Sequence, residues 1–407
     1  MRLSLALLSA LLGLCAAPVR AENAAPQKAE ATGSVPLRTS GGMISGKQAG
    51  GVEAFLGIPY AAPPTGDRRW RAPQPVARWA GVRRAETFGA SCYQLVPTPL
   101  FGPYTSEFVD TPPPSEDCLF LNVWTPNRKG SLPVIVWIHG GAFLRGSGAV
   151  PIYDGAPLAS RGAVVVSLNY RVGPLGFLAH PLLSAEEPQG SSGNYGLLDQ
   201  IASLQWVRQN IRRFGGDPGN VTVAGQSAGA ASVNQLLVSP LAAGLFHRAI
   251  AQSGSGMGAE SELRADAEAD GKAFARYLRA GNVRELRALT AQQIQDAVYL
   301  PIAPATAEDS RPRIRFRPVI DGRILPADGM IARSRPTPGV PLLTGFNLDE
   351  DMAAPPASAE EFAARVRDRY GSHAEAILAL YPHHTTADAK DSAKVLSRDR
   401  YLTSLIL

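Results

Sequence analysis

The sequence predicts an α/β protein with a mostly parallel central sheet flanked by helices. Residues 134–138 and 163–168 are continuous apolar runs of strand length, and runs that are apolar on both faces suit strands covered by helices on both sides. Between residues 196 and 214 apolar residues recur every three or four positions, which predicts an amphipathic helix. Strands and helices that alternate in this way favour a parallel sheet.

The first residues carry the pattern of a secretory signal peptide. Arg2 precedes an apolar run at residues 3–17, and small residues that suit a signal peptidase follow. The run is too short to span a bilayer comfortably, and a lipoprotein anchor at Cys15 is the weaker alternative because a bulky leucine precedes it. We expect a signal peptide at residues 1–21, a flexible linker at 22–36, and an exported protein, periplasmic or secreted.

Two cysteines, Cys92 and Cys118, remain after removal of the signal peptide. An even pair in an oxidising compartment predicts a disulfide bond. It would close a Pro-rich loop, and closing a loop of that length stabilises the fold by about 3 kcal/mol in the chain-entropy model. The predicted export and the cysteine pair support each other.

The charge of the chain argues against one class of partner. The formal net charge of +5 is mild, and no Lys/Arg block is interleaved with aromatic residues, so nucleic-acid binding has little support. The densest positive stretch, residues 311–317, is typical of a solvated or salt-bridged segment. We expect no cofactor, no bound metal and no stable membrane span, and the sequence leaves the oligomeric state open.

Further predicted elements continue the alternation of strands and helices. Residues 41–82 are rich in Gly, Pro and Trp, which indicates short strands and tight turns. Asn194 is expected to cap the helix at 196–214, and Gly215 with Gly216 ends it. Residues 262–300 predict an inserted helical cap. The other elements are a strand at 221–224, a helix at 228–238, a strand at 249–251, a late strand at 341–345 and helical residues at 358–380.

A candidate nucleophile lies between the strand at 221–224 and the helix at 228–238. Residues 225–229 read Gly-Gln-Ser-Ala-Gly, the Gly-x-Ser-x-Gly pattern. The strand before it and the helix after it are the context that a nucleophile elbow requires. Glycines permit the sharp turn that lifts the Ser227 hydroxyl above the sheet, at the start of a helix. A structural serine in a glycine turn is the competing interpretation, which this context disfavours.

Acyl transfer also needs donors for a developing oxyanion. The backbone N–H of Ala228, directly after the nucleophile, is one candidate. Residues 139–143 read His-Gly-Gly-Ala-Phe and follow the strand at 134–138, so Gly141 and Ala142 are the other candidates. We interpret His139 as a residue that packs the loop, because a base must reach Ser227 from a loop later in the chain.

Several longer segments of the sequence resemble the signatures of one protein family. Residues 214–229 resemble the serine signature of the type-B carboxylesterases, the family of cholinesterases and bacterial esterases, and residues 116–123 resemble its second signature. The similarity runs from about residue 40 to the end. Shorter matching segments are Gly-Ile-Pro-Tyr-Ala at 57–61, Asn-Tyr-Arg-Val-Gly at 169–173 and Gln-Ser-Gly at 252–254.

The resemblance implies an α/β-hydrolase fold, a mechanism and a substrate class. In the family the acid lies in an Asp-Glu pair just after a late strand, which implies Glu350 here, with Asp349 as the alternative. A surface acidic run is the competing interpretation. The family's disulfide supports the pairing of Cys92 with Cys118. Its main substrates are neutral carboxylic esters, and Gln226 stands where cholinesterases carry an acid, which weakens any case for a choline ester.

The catalytic base is not identified. A serine hydroxyl needs a histidine to take its proton, and in the family that histidine follows the acid by about a hundred residues in a His-Gly-x-Glu-like loop. His373, His383 and His384 follow Glu350 too early and outside such a loop. We therefore expect a truncated or frameshifted version of a longer esterase, incomplete at the C-terminal end of a domain that spans residues 37–407.

Two functions compete. The first is a serine carboxylesterase that acts on a small-molecule ester through an acyl-enzyme at Ser227, with Glu350 orienting a histidine outside this sequence. The second is a non-catalytic binding protein on the same fold, similar to the family's adhesion members, or an inactive fragment. The elbow, the acid and the oxyanion loop favour the first.

Overall fold

The computed structural model describes residues 32–94, 105–188, 190–254, 261–299, 316–326, 339–348, 350 and 354–406. The predicted signal peptide, residues 1–21, lies outside these ranges, as does most of the predicted linker. The end of that linker is ordered, because Thr32–Gly33 form a strand paired with residues 47–48 of the central sheet. This strand lies within the segment predicted as a linker, before residue 37.

Sixteen strands lie within the described residues. They are β1 Thr32–Gly33, β2 Leu37–Arg38, β3 Met43–Ser45, β4 Lys47–Ala49, β5 Val52–Pro59, β6 Val82–Arg84, β7 Ser91–Cys92, β8 Pro114–Ser115, β9 Phe120–Thr125, β10 Leu132–Ile138, β11 Val164–Leu168, β12 Gly216–Gln226, β13 Arg248–Gln252, β14 Glu262–Leu263, β15 Val319–Ile320 and β16 Leu342–Gly345.

Nine of these strands form the central sheet, in the order β1-β4-β5-β9-β11-β10-β12-β13-β16. From β11 to β16 every neighbouring pair is parallel, whereas the pairs from β1 to β11 are antiparallel. The catalytic candidates follow β10, β12 and β16, so the parallel half brings them to one edge of the sheet, where the carboxyl ends of its strands meet. The expected mostly parallel α/β sheet is confirmed, with an antiparallel N-terminal side.

The helices alternate with these strands as the sequence predicts. The described helices are α1 Ser106–Val109, α2 Ala156–Ala159, α3 Gly173–Phe177, α4 Pro181–Glu186, α5 Tyr195–Asn210, α6 Ala228–Val238, α7 Arg264–Tyr277, α8 Val283–Ala288, α9 Ala291–Tyr299, α10 Ala359–Tyr370, α11 Ala374–Leu378 and α12 Thr386–Ile406. Among the described residues, no helix combines the length and the apolar character needed to cross a bilayer.

The central strands are buried on both faces. Val164 and Val166 of β11 pack into the main hydrophobic core, which also contains apolar residues of α5 and α6. Val165, which points the other way, joins a second cluster with Trp124 and with Ala159 of α2. This division explains why β11 reads as a continuous apolar run.

Helix α5 buries the apolar face that the sequence predicts, and it buries several polar residues as well. Both its apolar residues and polar residues such as Asp199 and Gln200 are buried. The Asp199 carboxylate accepts three hydrogen bonds from Arg171, from its backbone N–H and from its Nε and Nη2, at 2.7–3.0 Å. Both side chains are at most 3% exposed. The charge of Asp199 is therefore neutralised inside the protein by an ion pair, whereas the exposed side of α5 carries the polar residues Gln205, Arg208 and Gln209.

Asn194 does not cap α5 with its side chain, in contrast to the sequence expectation. Its amide instead pairs with both backbone groups of Val319, donating to the carbonyl oxygen and accepting from the N–H, each at 2.8 Å. The side chain thus takes the place of a strand neighbour for β15. The helix ends as predicted, after a 3₁₀ turn at Ile211–Phe214, with Gly215 left-handed at φ 78°.

Two helical regions extend beyond the sheet. Helices α7, α8 and α9 occupy the segment predicted as an inserted cap. Arg69 donates hydrogen bonds to the carbonyl oxygens of Arg287 and Leu289 in this segment. Helices α10, α11 and α12 pack around a hydrophobic cluster of their own that contains Phe362 and Leu378. The edge strand β16, by contrast, is exposed along its whole length.

The buried Arg171–Asp199 pair predicts a large loss of stability when it is broken. Replacing Asp199 by Ala leaves the guanidinium buried without its partner, which costs about 3–5 kcal/mol. Urea unfolding measures this change. Asp67→Ala, at an exposed site, serves as the control and is expected to stay within about 0.5 kcal/mol of the parent. A loss below about 1 kcal/mol for Asp199→Ala would show that the pair is not a structural support.

Candidate active site

Ser227 lies at the turn between β12 and α6. Its backbone has φ 56° and ψ −124°, a left-handed conformation that costs free energy for a residue with a side chain. Its N–H donates to the carbonyl oxygen of Gln252 at 2.9 Å, and its own carbonyl accepts from Ala231. The side chain is partly exposed. These features are those of a strand–turn–helix elbow that presents a hydroxyl at the end of the sheet.

The elbow depends on close backbone contacts that only glycine permits. A Cβ on Gly229 would lie 2.1 Å from the carbonyl oxygen of Ile138, and one on Gly225 would lie 2.5 Å from the Gly229 backbone. Gly140 approaches from the next strand, because its Cβ would lie 3.2 Å from Cβ of Ser227. The loop after β10 is therefore in contact with the elbow.

That loop carries the expected oxyanion donors. Gly141, Ala142 and Phe143 all have positive φ, at 111°, 57° and 60°, and the Gly141 carbonyl closes a turn by accepting from the N–H groups of Leu144 and Arg145. Ala142 is exposed whereas Phe143 is buried. Ala228 is the first residue of α6, so its N–H has no partner within the helix. Ala228 directly follows Ser227, and the loop that carries Gly141 and Ala142 contacts Ser227 at Gly140.

His139 is buried beneath this loop. Its ring stacks on Tyr170 with centroids 4.3 Å apart, and Nδ1 lies 2.8 Å from the Gly140 carbonyl oxygen. Because a carbonyl only accepts, Nδ1 carries the proton and donates. Burial lowers the pKa of His139 to about 4, although the bond to Gly140 opposes the shift. The imidazole is therefore a neutral packing and hydrogen-bonding group.

Glu350 lies just beyond β16, close to the chain segment that follows β13. Its Oε1 accepts a 2.5 Å hydrogen bond from the hydroxyl of Ser253 and a 2.6 Å bond from the Asn347 N–H. Ser253 is itself strained, at φ 53°, and its N–H donates to Gly345. Since Ser227 binds the neighbouring Gln252, the two candidate catalytic residues are linked through one short segment.

Ser253 is the residue that sequence reasoning did not assign to the site. It belongs to the Gln-Ser-Gly segment at 252–254, which entered only as a shared motif. The motif alone does not reveal the role of Ser253, because its partner Glu350 lies 97 positions further along the chain. The alternative acid, Asp349, lies outside the described residues.

All six histidines are described, and in that part of the chain no hydrogen bond joins any of them to Ser227 or Glu350. His180 accepts from Leu182 at the start of α4, and His247 accepts from Val221. His383 packs on Phe362 and His384 among the C-terminal helices. The structure thus brings together the elbow, the loop with the candidate oxyanion donors and the candidate acid, and among the described residues no histidine is hydrogen-bonded to Ser227 or Glu350.

Cys92 and Cys118 form the predicted disulfide. Both cysteines are buried, and the carbonyl oxygen of Cys118 accepts from Asn169 at 3.2 Å. Glu116, two residues before Cys118, forms a salt bridge with Arg69. The disulfide is therefore part of the packed structure next to the oxyanion loop.

Comparison with known proteins shows the family to which the chain belongs. The profile described as "Carboxylesterase family" matches residues 33–404. Fumonisin B1 esterase of Sphingopyxis macrogoltabida is 41% identical over 385 residues, covering 93% of this chain and 67% of that protein. Para-nitrobenzyl esterase of Bacillus subtilis (strain 168) is 42% identical over 320 residues, covering 77% of this chain and 62% of that protein. The chain thus spans about two thirds of these relatives.

Solved structures agree with the sequence comparison. A thermophilic pNB esterase superimposes with a TM-score of 0.75 at 35% identity, covering 91% of this chain and 76% of that one. A second pNB esterase structure gives a TM-score of 0.73, also at 35% identity, with the same coverage of both chains. The expected α/β-hydrolase fold is confirmed.

The neutral, buried His139 predicts acid sensitivity. Below its ordinary pKa of 6.5 the imidazole of the unfolded chain binds a proton, whereas the folded one stays neutral down to about pH 4. Stability is therefore lost as pH falls from 6.5 towards 4, by at most on the order of 3 kcal/mol. Urea unfolding should show the stability advantage of the parent over His139→Asn shrinking across this range. His373→Asn, at an exposed histidine, should give a constant difference, and a constant difference for His139→Asn would contradict the assignment.

Proposed function

The chain belongs to the carboxylesterase family of carboxylic-ester hydrolases, and from that premise we propose that it hydrolyses a small-molecule carboxylic ester through an acyl-enzyme at Ser227. The observation that carries the proposal is the elbow, where Ser227 is held at φ 56° between β12 and α6. Strain of this kind persists only where surrounding contacts impose it. Here it raises a hydroxyl at the start of a helix, beside a loop of backbone donors.

The oxyanion hole in this proposal consists of the N–H groups of Gly141, Ala142 and Ala228. Attack by Ser227 turns the ester carbonyl oxygen into an anion, which backbone donors in a preorganised loop stabilise. The N-terminus of α6 adds a partial positive charge at the same place. The proposal is supported by the contact between Gly140 and Ser227 and by the first N–H of α6, which has no partner within the helix.

Glu350 is proposed as the acid that orients the base. Its carboxylate is fixed by Ser253 and by the Asn347 N–H, both of which donate to Oε1, and within the described part of the chain no hydrogen bond engages Oε2. In a serine hydrolase the acid holds the histidine in one tautomer and stabilises the imidazolium that forms. Ser253 is a positioning residue in this arrangement.

The base is proposed to be a seventh histidine that is not in the printed sequence. The contacts of His139, His180 and His247 engage them elsewhere, and His383 packs among the C-terminal helices. Without a base, the oxyanion hole and substrate binding leave only residual catalysis. We therefore expect the 407-residue chain to react slowly and to respond to an added base.

The substrate is proposed to be a neutral ester. Gln226, directly before the nucleophile, places its uncharged amide beside Gly140, so no carboxylate there attracts a cationic alcohol group. The disulfide supports export as well, because such bonds persist in oxidising compartments.

The test combines a fluorophosphonate probe, a p-nitrophenyl ester and added imidazole. The 407-residue chain is expected to be labelled slowly at Ser227, and imidazole should accelerate labelling and hydrolysis by about tenfold or more, part of the 10²–10⁴-fold that a general base contributes. Peptide mapping by mass spectrometry locates the adduct. Ser227→Ala should abolish labelling and remove the imidazole-dependent hydrolysis that exceeds the rate of imidazole alone.

Ser191→Ala is the matched control, because Ser191 donates to Asp321 outside the site and its loss should leave labelling unchanged. Fast labelling that imidazole does not alter would show that one of the six histidines is the base. No adduct at Ser227 in a folded chain, with or without imidazole, would contradict the esterase proposal and favour a binding protein.

A further inference from the structure

The side chain of Gln94 pairs with the backbone of the oxyanion loop. Its Oε1 accepts the N–H of Gly146 at 2.7 Å, and its Nε2 donates to the Gly146 carbonyl oxygen at 2.8 Å. Nε2 also donates to the carbonyl oxygen of Cys92 at 3.0 Å. Gln94 is 3% exposed. One buried amide thus joins the disulfide to the end of the loop that carries Gly141 and Ala142.

The loop requires such a support because its backbone is strained. Ala142 and Phe143 both occupy the left-handed region, at φ 57° and 60°, which is unfavourable for residues that carry a side chain. The strain persists only if surrounding bonds over-determine it. One restraint is the bond from the Gly173 N–H to the Phe143 carbonyl, at 2.6 Å. The Gln94 pair with Gly146 is a second.

The position of Gly146 also controls the orientation of the candidate donor. A Cβ on Gly146 would lie 2.2 Å from Nδ1 of His139 and 2.5 Å from the Gly140 carbonyl oxygen, so Gly146 covers the hydrogen bond between them. That bond fixes the Gly140 carbonyl. Because the peptide unit is planar, it fixes the direction of the Gly141 N–H as well.

A second amide anchors the residues that follow. Asn169 accepts from Ser147 and from the Gly148 N–H, and it donates to the carbonyl oxygens of Ala90 and Cys118. The loop end is therefore tied to both cysteines of the disulfide, through Gln94 on one side and Asn169 on the other. Of these two, Gln94 has the direct contact with the residue that covers the Gly140 bond.

We propose that Gln94 is a positioning residue for the oxyanion hole, which holds Gly146 over the His139–Gly140 hydrogen bond and so aims the Gly141 N–H at the reacting carbonyl. The inference rests on the proposed esterase function of Ser227. Gln94 does not touch the substrate. Its contribution is to keep a strained loop in the one arrangement that stabilises the transition state.

Gln94→Ala should slow acylation without weakening substrate binding. The rate of Ser227 labelling and kcat for the p-nitrophenyl ester, both measured with the same concentration of imidazole, are expected to fall by about 10- to 100-fold, the effect of a small misplacement of catalytic groups. KM should change by less than about threefold, because the substitution weakens the stabilisation of the transition state and not the binding of the substrate. Gln200→Ala removes another buried amide, which bonds Ser232, and should leave both rates unchanged.

Gln94→Glu separates positioning from stability. A carboxylate keeps the acceptor for Gly146 but faces two carbonyl oxygens where the amide donated, whereas a protonated carboxyl can donate again. Because burial beside carbonyl oxygens raises the pKa of a carboxyl group, the labelling rate relative to the parent should rise severalfold as pH falls from about 8 to 6. The same ratio for Gln94→Ala should stay flat, with all rates corrected for the folded fraction.

Hydrogen exchange gives a readout that needs no chemistry at Ser227. In Gln94→Ala the amide of Gly146 should exchange at least about fivefold faster, and in Gln200→Ala it should not. If this exchange is unchanged, the inference is overturned. The inference is also overturned if this exchange increases but the parent and Gln94→Ala are labelled at Ser227 equally fast. A folded parent that is not labelled contradicts the esterase function itself, and the exchange result then still decides whether Gln94 holds the loop.

Discussion

The contact of helix α6 with the end of β10 is the constraint on which the site depends. Gly229 lies so close to the Ile138 carbonyl that no side chain fits between them, and this approach forces the chain to turn within Ser227. The strain at Ser227 is therefore the consequence of backbone packing between a helix and a parallel sheet. The same approach brings the loop after β10 against the elbow, so that the proposed nucleophile and the proposed backbone donors are positioned by one contact.

The other parts of the site are held from outside the sheet. Ser253 ties Glu350 to the segment that also binds Ser227, and Gln94 and Asn169 tie the loop that carries Gly141 and Ala142 to the disulfide. Deeper in the fold, Arg171 joins Asp199 of α5. Residues far apart in sequence thus meet through buried amides, carboxylates and guanidinium groups. Such groups are satisfied only in one arrangement, which makes the site rigid.

Sequence reasoning predicted the strands β10 to β13, helices α5 and α6, the elbow and the disulfide, because local periodicity, glycine spacing and cysteine number report on them directly. It was wrong about Asn194, whose amide pairs with β15 rather than capping α5, and incomplete about α5, because it did not predict that Asp199 of this helix is buried in an ion pair with Arg171. Both depend on contacts across more than twenty residues, which no local pattern contains. Sequence reasoning did not assign Ser253 and Gln94 to the site for the same reason, because their contacts exist only in the folded chain.

A crystal structure of the chain after reaction with a fluorophosphonate probe tests the central claim most directly, that elbow and loop together form an oxyanion site. Phosphorus should be bonded to the Ser227 hydroxyl oxygen, with its free oxygen about 2.7–3.1 Å from the N–H groups of Gly141, Ala142 and Ala228. An adduct whose free oxygen points away from these three groups, or a phosphonate attached to another residue, would contradict it.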